Sequence, residues 1–139
     1  LKQQRVAHSV VYLLEPARFR QPRDRWEAAV MADDSVIQAL FPQRVQYRVI
    51  LAHCRAELLL ATCRRLDKGP EHCRALGYIN RGGSLGPEEL LFVNRSTWAH
   101  VLAELAQLCG QQPTLWLTAE EWAAVDGRGD PYHVIRALD

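Results

Sequence analysis

Three short apolar runs, each followed by enough chain for a helix, constrain this sequence more than any other feature. They are "VAHSVVYLL" (6–14), "QYRVILAH" (46–53) and "RALGYI" (74–79). The first is β-rich and nearly continuous in apolar residues, the pattern of a strand covered on both faces, as in a parallel sheet between helices. The stretches between and after the runs carry helical periodicity and stop signals. "RAELLLATCRRL" (55–66) has a broad apolar face and is broken by "DKGP". Alternation at this spacing predicts an α/β fold: a three-layer sandwich with a mostly parallel central sheet, in which "SVVYLL", "YRVILA" and "RALGYI" run parallel.

The remaining elements follow from caps and breakers. "ARFRQPRDRWEAAVMA" predicts a basic loop and a helix with Pro22 near its first turn. A short helix is expected at 34–40, capped by Asp33 or Asp34 and stopped by Pro42. Pro87 opens another, with Glu88 and Glu89 in the first turn, where the helix dipole favours acids. Trp98, Val101, Leu102, Leu105, Leu108 and Cys109 recur at helical spacing over 96–109, and Gly110 is a natural stop. Thr118 and Glu121 stand in capping-box register before a terminating Gly127. The final "PYHVIRAL" reads as a short helix or a frayed tail.

With 139 residues the chain fits one domain, 1–139, large enough for a core. Its 48% hydrophobic and 24% charged residues argue against disorder. A net charge of +1 supplies no global field for nucleic acid or a membrane surface, and neither is an expected partner. Apolar runs such as "ELLLAT" are too short to span a bilayer, and no apolar leader follows a basic start. Cys54, Cys63, Cys73 and Cys109 form no C-x-x-C pair and read as free thiols of a cytoplasmic protein. The opening "LKQQR" reads as the end of a helix that begins elsewhere, so a longer parent protein is expected.

Several residues invite chemistry. His53-Cys54 ends the second run and His72-Cys73 precedes the third, but zinc ligands usually come in close C-x2-4-C pairs, and none exists. Adjacent strand residues point to opposite faces, so His53 is poorly placed to activate Cys54. His53 remains a candidate ligand contact because α/β proteins place sites at C-terminal strand ends. On the same reasoning His53 and residues 81–84 are expected to approach each other. Arg18, Arg20, Arg23 and Arg25 are interleaved with Glu15, Asp24 and Glu27 and read as a salt-bridged surface. In "NRGGSLG", Arg81, Gly82, Gly83 and Ser84 could offer amides and a cation to an anion, yet the pattern is neither a P-loop nor G-x-G-x-x-G. The plainer reading makes the glycine pair a strand-to-helix turn.

"GYINRGGSLGPEELLFVNRSTWAH" (77–100) resembles the C-terminal domain of phosphoketolases, thiamine-diphosphate enzymes related to transketolase. The pattern is a Gly-Tyr ending a strand, a Gly/Ser-rich loop, a proline, an apolar run, an asparagine, and a histidine six residues on. It falls on Gly77, Tyr78, Gly82, Ser84, Pro87, "LLFV", Asn94 and His100. Upstream, "RVAHSVVYLL" and a strand ending in a histidine, "RVILAH", stand in the family's order, so the likeness spans about 4–109. Asn80 and Arg81 replace acidic residues of the family, and 111–139 is a divergent tail.

The resemblance implies a C-terminal packing and dimerisation domain of an enzyme acting on ketose phosphates, one strand and helix short at its start. It implies that thiamine diphosphate and Mg²⁺ belong to the preceding domains of the parent, and that this fragment binds neither and is inert alone. Partners implied are those preceding domains and a second copy in a homodimer. Asn94 and His100 then join His53 and Arg81 to Ser84 as possible ligand or interdomain contacts, with no catalytic, cofactor or metal residue assigned. The alternative is a free-standing small-anion-binding or regulatory α/β module.

Overall fold

The computed structural model describes residues 6–136; the expectation for "LKQQR" lies outside them. In chain order the elements are a 3-10 turn at Pro16–Phe19, α1 (Arg25–Ala28), α2 (Asp34–Leu40), β1 (Arg48–Leu51) and α3 (Ala56–Thr62). A 3-10 turn at Arg64–Leu66, β2 (Cys73–Leu76), α4 (Pro87–Val93), α5 (Trp98–Leu108) and a 3-10 turn at Pro113–Leu115 follow, then α6 (Ala119–Val125) and α7 (Tyr132–Ile135).

The result is a mixed α/β fold around one βαβ unit. β1 and β2 pair in parallel with Ile50 opposite Ala75, and α3 makes the crossover between them. Strand alternation gives the pair two different faces. Ile50 and Ala75 pack against a cluster of Phe19, Ile37, Leu59, Cys63 and Leu66. From the same strand Arg74 reaches the other way, to Glu104 of α5 at 3.9 Å. A second cluster joins Ala99 and Ala103 of α5 to Leu117, Ala124 and Val134. The C-terminal segment is therefore a packed wall of the domain and not an appendage.

The three-strand expectation is corrected. Residues 6–14 form no strand, and the sheet has the order β1-β2 alone among the described residues. Val10, Tyr12 and Leu14 are 73, 87 and 94% exposed, while Val11 and Leu13 between them are half-buried. Strand propensity measures the fit of a side chain to a pleated, half-buried surface, so without a ladder partner it does not produce a strand. The two strands that do form are shorter than their apolar runs, because pairing stops where the register ends at Leu51 and Leu76.

Two helical expectations also shift. The helix expected over the "ARFRQPRDRWEAAVMA" stretch is a 3-10 turn plus the four-residue α1, with Pro22 in the loop between. Asp24 fixes the start of α1 by accepting from the amides of Trp26 and Glu27 at 2.9 Å each. The fully buried line of α5 is Ala99, Ala103 and Ala106 with His100, not its larger residues, which are half-buried flanks. Small side chains on that line let α5 lie close to both strands and α6 at once. The Thr118–Glu121 capping box forms, and Gly110 and Gly127 end α5 and α6 at φ of 66° and 79°, whereas Asp33 stands at the start of α2 without a side-chain cap bond. The basic cluster is tied down as expected, with Arg20 and Arg23 both on Glu27 and Arg18 at 3.6 Å from Glu15.

Candidate functional site

Beyond β2 the chain enters the "NRGGSLG" loop, and one side chain determines its shape. Asn94, 1% exposed at the end of α4, bonds to the loop on both sides of its amide. Its Oδ1 accepts from the amides of Ile79 (3.2 Å) and Arg81 (3.0 Å). Its Nδ2 donates to the carbonyls of Arg81 (2.6 Å) and Leu90 (2.9 Å). An amide is the side chain that can both accept and donate in this way.

Two left-handed residues flank this lock. Asn80 and Arg95, at φ of 60° and 57°, are the non-glycine residues with positive φ among those described. Arg95 occupies the position after the α4 cap that glycine usually takes. There the Arg95 amide bonds to Phe92 O and the Ser96 amide to Leu91 O, both within 2.9 Å, so two of the last carbonyls of α4 are satisfied. α6 ends in the same way, with Gly127 bonded to Ala124 O and Arg128 to Ala123 O.

The two helix ends and the loop enclose an open groove of about 610 Å³. Arg81, Gly82 and Gly83 form one side, Phe92, Arg95 and His100 another, and Val125, Asp126 and Gly127 the third. His100 is 3% exposed, its Nδ1 lies 2.7 Å from Thr97 Oγ1, and its ring meets Phe92 edge-on at 5.1 Å. Burial, with the nearby Arg95 charge second, lowers its pKa to about 4. It is neutral at pH 7 and serves as a hydrogen-bonding ring, not as a charge.

That shift makes a pH prediction. A histidine depressed from 6.5 to about 4 stays neutral in the fold while the unfolded chain takes up a proton. Its contribution is full above pH 6.5 and is lost as pH falls from 6.5 towards 4. Urea unfolding at pH 7 and pH 4.5 should show a loss on the order of 2 kcal/mol from this group. The His100→Gln variant should be less stable at pH 7 and show a shallower loss over that window; an unchanged slope would discard His100 as the source.

Of the seven residues singled out from sequence, Arg81, Gly82, Gly83 and His100 meet in the groove, and Asn94 lies behind the loop that it fixes. Ser84 is exposed and does not line the groove. His53 is exposed two residues past β1 and does not line it either. The Val125 to Gly127 wall was missed, although the Gly127 stop signal placed a helix end there. Among the described residues, no group of three or more His, Cys, Asp or Glu could hold a metal ion. No family model, curated protein or solved structure matches this chain.

Proposed function

We propose that the chain is the C-terminal packing and dimerisation domain of a phosphoketolase-like or transketolase-like thiamine-diphosphate enzyme acting on ketose phosphates. The supporting observation is the segment 6–14, which has the composition of a buried strand but turns Val10, Tyr12 and Leu14 outward. Covering those three side chains would contribute on the order of 5 kcal/mol, a strong drive for this face to meet another surface. In this reading the segment completes a mostly parallel sheet in a three-layer sandwich when the parent's preceding domains, or a second copy, lie against it.

The role is structural. The acidic glycine turn "VDGRGD" (125–130) is occupied with ending α6 and starting α7: Asp126 pairs with Arg128, and Asp130 accepts from the Tyr132 amide at 3.0 Å. Among the described residues no group of three or more His, Cys, Asp or Glu converges, whereas a diphosphate-bound Mg²⁺ needs a convergent set of oxygen donors. The cofactor belongs to the preceding domains.

Isothermal titration with thiamine diphosphate and Mg²⁺ tests the reading. The 139-residue chain should show no binding, whereas the longer protein encoded through Leu1 should bind and should carry a G-D-G…N motif upstream. Micromolar binding to the chain alone would overturn the assignment. A start codon at Leu1 would favour the free-standing module instead.

A further inference from the structure

We infer that the groove between the Arg81–Gly83 turn and the end of α6 is a binding site for a small organic oxyanion, a phosphate or carboxylate head on an apolar body. The inference is independent of whether the chain belongs to a longer enzyme.

Arg95 is held by Glu104 at 3.3 Å, and Asp126 is paired with Arg128. Arg81 makes no ion pair among the described residues, so the uncompensated charge on the groove wall is positive. Of the carbonyls at the ends of α4 and α6, which would repel an anion, those of Leu91, Phe92, Ala123 and Ala124 are already bonded to the amides of residues 96, 95, 128 and 127.

A side chain at Gly83 would meet nothing within 4 Å, and its φ is not in the left-handed region, so neither packing nor backbone strain demands glycine there. What glycine does supply is an amide that a ligand can reach. In the tautomer in which the Thr97 hydroxyl donates to Nδ1, His100 carries its proton on Nε2 and is a neutral donor lining the same groove. Arg81 and the glycine amides, joined by His100 in that tautomer, thus offer donors suited to an oxyanion.

Left-handed Asn80 and Arg95 bracket the Asn94 lock, and such conformations persist only where the surroundings enforce them. The lock fixes the Arg81 amide and carbonyl before any ligand arrives. Leu85, Phe92, Val93 and Val125 make the rest of the lining apolar, and about 610 Å³ is far more than an oxyanion head alone would fill. The ligand should therefore carry an apolar body.

The test uses the 139-residue chain and amide NMR titration with phenyl phosphate, benzoate, inorganic phosphate and phenol. Saturable shifts centred on the Gly82 and Gly83 amides are expected with phenyl phosphate, with benzoate, or with both, and the stronger of the two identifies the head group. Inorganic phosphate should bind at least ten-fold more weakly than the better probe. Arg81→Ala should weaken that probe at least ten-fold, while Arg44→Ala, an exposed arginine outside the groove, should not. The Arg81 side chain is exposed and the lock uses only its backbone, so this variant should retain the fold, checked by far-UV circular dichroism. Equal weakening by both variants would reduce the effect to diffuse charge. That result, equal binding of phenol, or no saturable shift with either organic anion would overturn the inference.

Discussion

Gly77→Ala should cost the domain about 3 kcal/mol or more, the upper end of what overpacking does. A Cβ at position 77 would sit 2.1 Å from Cys54 O and 2.9 Å from Ala56 N. Both are backbone atoms, so no side chain can swing aside. Here β2 leaves the sheet directly over the turn into α3, and the Tyr78 amide bonds to Cys54 O at 2.8 Å. Relieving the clash means separating the two ends of the βαβ unit and stretching that bond. Against a total stability of roughly 5–15 kcal/mol, the variant should unfold at a clearly lower urea concentration or fail to accumulate. Gly83→Ala is the control, because nothing lies within 4 Å of its added methyl, and it should change stability by less than about 0.5 kcal/mol. Equal midpoints for the two variants would show that the close approach at Gly77 is relaxed at little cost.

Asn94→Ala should have an effect of similar size, about 3 kcal/mol, for a different reason. It removes four hydrogen bonds at once and leaves the Leu90 and Arg81 carbonyls and two amides without that partner. Each buried group left unpaired costs about 1–3 kcal/mol, but residues 79–81 are exposed and water can serve some of them. Asn94→Asp is the sharper probe. Its carboxylate can still accept from the Ile79 and Arg81 amides but cannot donate, and at pH 7 it faces the Arg81 and Leu90 carbonyls. That variant should be destabilised at pH 7 and regain part of the loss as the pH falls and the carboxyl is protonated. Hydrogen exchange at the Ile79 and Arg81 amides should accelerate in both variants. Unchanged protection there would mean that the loop holds its shape without Asn94.

Local chemistry was largely legible in the sequence. The capping box at Thr118 and Glu121, the stops at Gly110 and Gly127 and the salt-bridged arginines around Glu27 follow from groups within a few residues of one another. These effects operate at short range, so a sequence window contains both partners. The glycine pair and Arg81 could be singled out as a possible anion contact for the same reason.

Tertiary structure alone decided the rest. The 6–14 run has strand composition, but whether it becomes a strand depends on a partner's free edge, which no property of the run specifies. The buried line of α5 is alanine because the helix lies against two strands and α6 together, and clearance between three elements cannot be read from one helix's periodicity. Gly77 looked like an ordinary strand end until Cys54, twenty-three positions earlier, came to lie against it. The groove has the same origin: its walls are drawn from residues 81–100 and 124–127, and only the packing of Ala124 and Val134 onto α5 brings the second stretch to the first. Sequence carries the preferences of each segment, and the fold decides which segments meet, because burial and close approach depend on atoms far apart in the chain.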